Sequence, residues 1–204
     1  YADYDSQTKL GKGVTENNDG AIIMGGADSL GMKSGCLIND GAHSMIYRGI
    51  EDIYGNTLDF LDGINIRNYQ AYINYDFTTY KSDTFDGNYK TLGYINTSSG
   101  GWITKLGYDS NNPLIVLPTE IDATNTDPNT PSGIKDAYFV NSGDKILVVG
   151  GAYAYSSSKA GLWFSVADNG SADDGSLVGS RLVRHQTSGG REVANLQEGS
   201  SSGK

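Results

Sequence analysis

The pattern of apolar and polar positions predicts a chain built mostly from short β-strands. In residues 69–75 every second position is apolar, which is typical of a half-buried strand. Residues 145–149 (KILVV) are continuously apolar after the lysine, which indicates a strand buried on both faces. Other apolar runs predict strands at residues 21–26, 45–50, 102–108, 114–117, 162–166 and 178–183. No run keeps a helical period over three turns.

Turn-forming residues separate these strands. The dipeptide Gly55-Asn56 divides two apolar segments, which favours a turn followed by a strand over a helix at residues 52–61. Residues 76–100 are rich in Thr, Ser, Asp and Gly, so we expect a long excursion with one or two short strands. Residues 119–133 contain two prolines and predict an exposed loop.

A single domain accounts for most of the 204 residues. Residues 1–20 are polar and predict a linker or peripheral segment. Residues 185–204 are rich in Gly and Ser, which indicates a flexible tail or a cloning remnant. The folded domain is therefore expected at residues 21–184. The polar start of the chain lacks a secretion signal and indicates a cut inside a longer protein.

Composition and charge narrow the classes of partner. The formal net charge is −9, and Lys and Arg form no basic cluster, so we predict no nucleic-acid partner. No apolar run approaches the roughly 20 residues of a membrane span, so we predict no membrane insertion. The single cysteine, Cys36, excludes an internal disulfide.

The stretch at residues 150–182 combines a frame of glycines and apolar residues with exposed polar and aromatic positions. Tyr and Trp supply contact area at low entropic cost, while Ser, Asn and Gly supply adaptable hydrogen bonds, as in antibody paratopes. We predict a ligand-binding surface here, without enzymatic activity or a cofactor. Trp163 is expected to face outward and Phe164 the core, and Tyr153 fits a core aromatic equally well. The candidate residues are Tyr153, Tyr155, Ser156, Ser157, Ser158, Lys159, Trp163, Ser165, Asp168, Asn169, Ser171, Asp173, Asp174 and Ser176.

Catalytic and metal sites have weaker support. A Ser-His-Asp site would depend on His43 without a nucleophile-elbow motif, and a zinc site lacks ligands. A calcium site formed by Asp168, Asn169, Asp173 and Asp174 would match no calcium-loop spacing. Glycosidases need only two carboxylates, so a polysaccharide depolymerase stays open as an alternative. Its candidate pairs are Glu51/Asp52, Asp59/Asp62, Glu120/Asp122 and Asp173/Asp174.

Several segments of the chain also carry a family resemblance. They read MIYRGIEDIYGNTLDFLDGINI, ITKLGYDSNNPLIVLPTE, DAYFVNSGDKILVVGGAY, AGLWFSV and VGSRLVR, and they cover most of residues 40–184. In this order they resemble phage tail and minor structural proteins with a C-type-lectin-like fold. Leu58, Phe60 and Tyr153 stand where that family commonly has Trp, and these exchanges keep apolar bulk. The more distant formylglycine-generating enzymes require paired cysteines, which this chain lacks.

The resemblance implies an α+β fold with a C-type-lectin-like core: short antiparallel strands, few helices and long loops. It implies a receptor-binding protein of the virion, at a phage tail tip or fibre, that engages a host-cell surface protein or glycan outside the cell. Contacts with other virion subunits and assembly as a homotrimer fit such a module, since avidity would strengthen attachment. The chain is also similar to variable proteins of diversity-generating retroelements, whose exposed positions near the C-terminus change at adenines. A structural decoration or assembly domain of the virion is the other alternative.

Overall fold

Strands supply most of the regular structure of this chain. The computed structural model describes residues 10–16, 20–125, 133–134, 136–155 and 160–179. Single-turn 3-10 helices occur at Asp28–Leu30 and Phe77–Thr79. The strands are β1 Gly35–Cys36, β2 Met45–Tyr47, β3 Ile50–Glu51, β4 Leu58–Arg67, β5 Gln70–Ile73, β6 Lys90–Thr91, β7 Gly101–Leu106, β8 Pro118–Asp122, β9 Ala137–Val140, β10 Asp144–Val149, β11 Ser165–Ala167 and β12 Val178–Gly179.

The expected α+β class is wrong. The described residues contain no α-helix; strands make up 33% and helical residues 4%, and the main sheet is a curled, mixed half-barrel. The sequence itself contains the physical reason, because no run has the helical period needed to bury one stripe of a helix. Apart from the less favoured helix at residues 52–61, the expected helices came from the family resemblance. The purely antiparallel expectation also fails, since β9 and β11, and likewise β4 and β12, pair in parallel.

The main sheet has the strand order β6-β5-β4-β10-β11-β9-β7-β8, with β12 beside β4. The prediction for residues 145–149 is confirmed, because β10 lies inside the sheet and is buried on both faces. Its side chains alternate between two apolar clusters. One cluster, on what we call the Leu147 face, comprises Ile64, Ile66, Ala71, Ile73, Leu92, Ile103, Leu117, Tyr138, Leu147 and Ala167. The other, on the Val148 face, comprises Leu58, Trp102, Ala137, Ile146, Val148, Ala152, Phe164 and Val166.

A smaller antiparallel sheet of β1, β2 and β3 lies beside the N-terminal segment. Arg48 and Gly49, between β2 and β3, both have positive φ, as a tight hairpin turn requires. The segment at residues 10–16 falls within the expected linker, yet Val14 and Thr15 are fully buried. The Glu16 N–H donates to the carbonyl of Tyr155 at 2.7 Å. The N-terminal segment thus contacts the predicted binding region directly.

Two strand predictions fail where apolar residues lie at the surface. Residues 21–26 form no strand, since residues 24–26 lie in a turn, and Ile23 is 92% exposed. Residues 114–117 form no strand; Leu114 is 82% exposed and β8 begins only at Pro118. β8 occupies part of the loop predicted at residues 119–133, because it pairs with β7 at the edge of the sheet, where proline is tolerated.

Other predictions are confirmed or lie outside the described residues. The turn at Gly55-Asn56 precedes the long strand β4, as expected. The excursion at residues 76–100 contains the short strand β6. Of the strand predicted at residues 178–183, the structure describes Val178–Gly179, and the expected tail lies outside the described residues.

Candidate functional site

A bulge in β4 opens a cleft on the Val148 face. β4 leaves its register with β10 between Phe60 and Asn65, so that four residues stand opposite the single residue Leu147. Gly63 in this bulge has a φ of 82°, and a Cβ there would lie 2.7 Å from the Tyr80 ring. The bulge therefore requires glycine at this position. Bulges commonly re-aim side chains beside functional sites.

The cleft has a volume of about 250 Å³. β4 supplies one wall, the loop at residues 80–89 a second, and the loop after β11 a third. Its apolar lining consists of Phe60, Leu61 and Ile146. Its polar lining consists of Asp62, Asn65, Lys81, Ser82, Tyr89 and Ser171. A concave site with an apolar wall and a few convergent polar groups is the usual form of a small-ligand site.

Two buried polar side chains at the base of the cleft are held by the backbone of Lys81. Asn65 is 3% exposed, and its amide nitrogen donates to the carbonyls of Lys81 and Thr84, each at 2.9 Å. Tyr89 is 4% exposed, and its hydroxyl oxygen accepts from the Lys81 N–H at 2.9 Å. The Asn65 Oδ1 acceptor and the Tyr89 hydroxyl proton remain for a molecule in the cleft.

The crossover segment, residues 168–176, leads from β11 across the Val148 face towards β12. The Lys145 ammonium donates to the carbonyl of Asp168 at 2.8 Å, and the Ile146 N–H donates to the carbonyl of Asn169 at 3.1 Å. The Ser171 hydroxyl donates to the Asp83 carboxylate and so joins the segment to the loop at residues 80–89. Residues 171–176 are all exposed. The sheet thus fixes the start of a segment whose side chains face solvent.

Tyr155 and Asp168 lie close together on the same face. The Tyr155 ring packs at 5.4 Å from the Phe164 ring. Burial raises the pKa of Tyr155, with a smaller contribution from the Asp168 charge. Burial also raises the pKa of the Asp168 carboxyl, while the charge of Lys145 acts in the opposite direction. The Tyr155 side chain is therefore half-buried against the core, and only its exposed part can contact a ligand.

Trp163 and Ser165 lie on the opposite, Leu147 face. Trp163 is half-buried beside the core, while Phe164 is fully buried, so Phe164 is the core-facing member of the pair. Ser165 is 4% exposed and is part of β11. Both line an apolar groove of about 270 Å³, together with the exposed Leu114 and Leu162. The sheet separates these two candidates from the crossover segment.

Tyr153 belongs to the frame around the Gly55-Asn56 turn. Its N–H donates to the Asn56 carbonyl at 3.0 Å, and the Gly55 N–H donates to the Gly150 carbonyl at 3.0 Å. The structure therefore brings together two of the family-like segments, the one that contains Gly55-Asn56 and the one that ends at Tyr153. Ser156, Ser157, Ser158 and Lys159 lie outside the described residues. Among the candidate residues that the structure describes, Ser171 of the crossover segment is the one that lines the cleft.

Several carboxylates of the proposed acidic pairs hold local structure. Glu51 accepts from the N–H groups of Gly25 and Ala27. Asp52 is buried and accepts from Ser44 and Asn56. Glu120 pairs with Lys105 at 2.6 Å, Asp122 accepts from Thr124, and Asp173 accepts from the Gly170 N–H. The described residues contain no cluster of three or more His, Cys, Asp or Glu placed to hold a metal ion.

Sequence reasoning missed four of the polar residues that line the cleft. Asn65, Lys81, Ser82 and Tyr89 come from two distant segments, and nothing in their spacing joins them. A local signal was present at Gly63, because an isolated glycine within a strand pattern often marks a bulge. A second signal was Asn65, a polar residue at a buried position between two isoleucines.

No protein-family model matches the chain, and no curated protein is significantly similar to it in sequence. Within the part of the chain that the structure describes, no helix has the length and apolar character to cross a membrane.

Proposed function

We propose that this chain is a recognition domain of a phage tail tip or fibre that binds a host-cell surface ligand without a catalytic step. The binding surface consists of the crossover segment and the cleft beside it. The observation that carries this proposal is the position of an exposed polar segment next to a preformed cleft, both held by one rigid sheet. Rigid scaffolds that present variable loops are the common form of binding proteins.

Three further features support the proposal. The five family-like segments resemble phage tail proteins in their order along the chain. The crossover segment is polar and exposed, which suits a rim around a recognition site. The net charge of −9 disfavours nucleic acid and anionic membranes, and leaves surface proteins and glycans as partners.

The proposal is tested by binding of the labelled full chain to a panel of bacterial cells. Ser176→Arg and Asp174→Arg place a long cationic side chain on the crossover segment, where both positions are exposed. We expect each variant to lose binding to any cell that the parent chain labels. Ser110→Arg adds the same side chain at an exposed serine away from the cleft and is the matched control.

Two outcomes contradict the proposal. If Ser176→Arg, Asp174→Arg and Ser110→Arg all bind as the parent chain does, the crossover segment is not the contact surface. If no cell in the panel is labelled and the arginine variants instead prevent assembly with other subunits, the chain has the structural role in the virion that is the competing hypothesis. Release of reducing ends from envelope polysaccharide would favour a depolymerase.

A further inference from the structure

We propose that the cleft in β4 binds one neutral hexose unit of a surface glycan. This inference rests on the proposed recognition function and names the ligand class of the same site. The volume of about 250 Å³ lies below the roughly 300–1,000 Å³ of sites that enclose drug-sized ligands. The cleft therefore has room for a single sugar ring and not for an oligosaccharide.

The base of the cleft offers one hydrogen-bond acceptor, from Asn65, and one donor, from Tyr89. Both amide hydrogens of Asn65 are donated to backbone carbonyls, so the amide is fixed and its Oδ1 is the atom that it can offer to a ligand. No described residue donates to this oxygen. The Tyr89 hydroxyl accepts from the Lys81 N–H and keeps its own proton for donation.

One residue of the loop holds both groups. The Lys81 carbonyl accepts from the Asn65 amide, and the Lys81 N–H donates to the Tyr89 hydroxyl, so both side chains are fixed by the backbone of Lys81. Each hydroxyl group of a sugar ring can both donate and accept a hydrogen bond, so a sugar can donate to the Asn65 oxygen and accept from the Tyr89 hydroxyl. Buried polar groups that need such partners discriminate strongly against a ligand that lacks a hydroxyl.

The remaining lining fits the rest of a sugar ring. Phe60 and Ile146 form an apolar wall for the ring carbons, while Asp62, Ser82 and Ser171 can bond hydroxyls at the rim. Among the described residues that line the cleft, Lys81 and Asp62 contribute one charge of each sign. A cleft with balanced charge in a chain of net charge −9 favours a neutral sugar over an anionic one.

The test is saturation-transfer NMR and titration with a panel of free neutral hexoses and N-acetylhexosamines. We expect the parent chain to bind at least one of them weakly, and Tyr89→Phe to raise its Kd at least tenfold. Ser171→Ala, at an exposed position of the rim, should raise the Kd by a smaller factor without affecting the fold. Ser110→Ala is the matched control and should bind as the parent chain does. The deoxy form of the bound sugar, lacking one ring hydroxyl, should bind at least tenfold more weakly.

The outcomes separate this inference from the proposed function. Absence of binding to every sugar, while Ser176→Arg still abolishes cell labelling, overturns the hexose site and leaves recognition standing. Equal sugar affinity in all variants also overturns the site, because binding would then occur elsewhere. Sugar binding that Tyr89→Phe weakens, with cell labelling unaffected by Ser176→Arg, supports the cleft and contradicts recognition through the crossover segment.

Discussion

Gly161 shows how one residue position ties the predicted region to the core. A Cβ at this position would overlap the carboxylate of Asp136, which is 3% exposed and accepts from the Trp163 N–H at 2.8 Å. The Asp136 carboxylate cannot move away without breaking its hydrogen bond to the Trp163 N–H. We expect Gly161→Ala to lower the free energy of unfolding by about 1–3 kcal/mol through overpacking. Denaturant unfolding measures this loss.

The matched control for this prediction is Gly175→Ala. A Cβ at Gly175 would meet no atom within 4 Å, so this change should alter stability by less than about 0.5 kcal/mol. Equal effects of the two substitutions would show that Gly161 has no packing role.

Tyr138 predicts a loss of stability at alkaline pH. Burial raises its pKa to about 12, and the side chain is fully buried in the apolar cluster of the Leu147 face. The unfolded chain releases the Tyr138 proton near pH 10, whereas the folded chain retains it up to about pH 12. The stabilisation is therefore complete below pH 10 and is lost as pH rises towards 12, by about 2–3 kcal/mol in total.

The measurement is the free energy of unfolding across this alkaline range for the parent chain and Tyr138→Phe. The difference between the two curves isolates Tyr138 from the other tyrosines whose pKa is raised, such as Tyr94 and Tyr155. We expect the parent curve to fall more steeply. Parallel curves would mean that Tyr138 ionises in the folded chain as easily as in the unfolded one.

At the scale of elements, the central strand β10 should dominate stability. Leu147 is 1% exposed inside the core of the Leu147 face. We expect Leu147→Ala to lower the free energy of unfolding by about 2–5 kcal/mol, because the lost contacts leave a cavity. Leu114→Ala, at a leucine that is 82% exposed, should change it by less than about 0.5 kcal/mol. Comparable losses from both changes would contradict this placement of the core.

The contrast between the buried run of β10 and the exposed run at residues 114–117 shows which strands could be predicted from the sequence. β10 was predictable because a continuous apolar run has one physical solution, burial on both faces. The run at residues 114–117 is equally apolar, but no neighbouring strand pairs with it, and periodicity carries no information about neighbours. The prediction of a loop where β8 lies was wrong for the converse reason. An edge strand can be polar, since only one of its sides needs a partner strand.

The candidate site was less predictable than the fold because it depends on distant segments. The exposed crossover segment was predictable from its polar composition, as the exposure of residues 171–176 shows. The cleft forms only where β4, the loop at residues 80–89 and Ser171 come together. Ser171 lies 88 residues along the chain from its hydrogen-bond partner Asp83. Burial of Ser165 likewise follows from its pairing within the sheet and not from its type.

At the scale of the whole molecule, one rigid sheet separates positions that can vary from positions that cannot. Substitutions at Ser171, Asp173, Asp174 and Ser176 fall on solvent-exposed side chains and should cost little stability. Ser165 was grouped with them by sequence, but it lies buried in β11 between two neighbouring strands. If template-directed replacement at adenines acts on this gene, selection for folding should remove changes at Ser165 and retain those in the crossover segment.

Deep sequencing of the coding region across its source population tests this separation. We expect substitutions at adenine-containing codons of residues 171–176 to exceed those at Ser165 by at least tenfold. The equally exposed residues 37–40, which do not line the cleft, are the control and should stay constant, because exposure alone does not attract a diversifying mechanism. Uniform variation across both exposed regions, or none, would remove the retroelement hypothesis and leave a fixed recognition surface. Frequent variation at Ser165 would contradict its burial, because most substitutions at a buried position destabilise the fold and would be removed by selection.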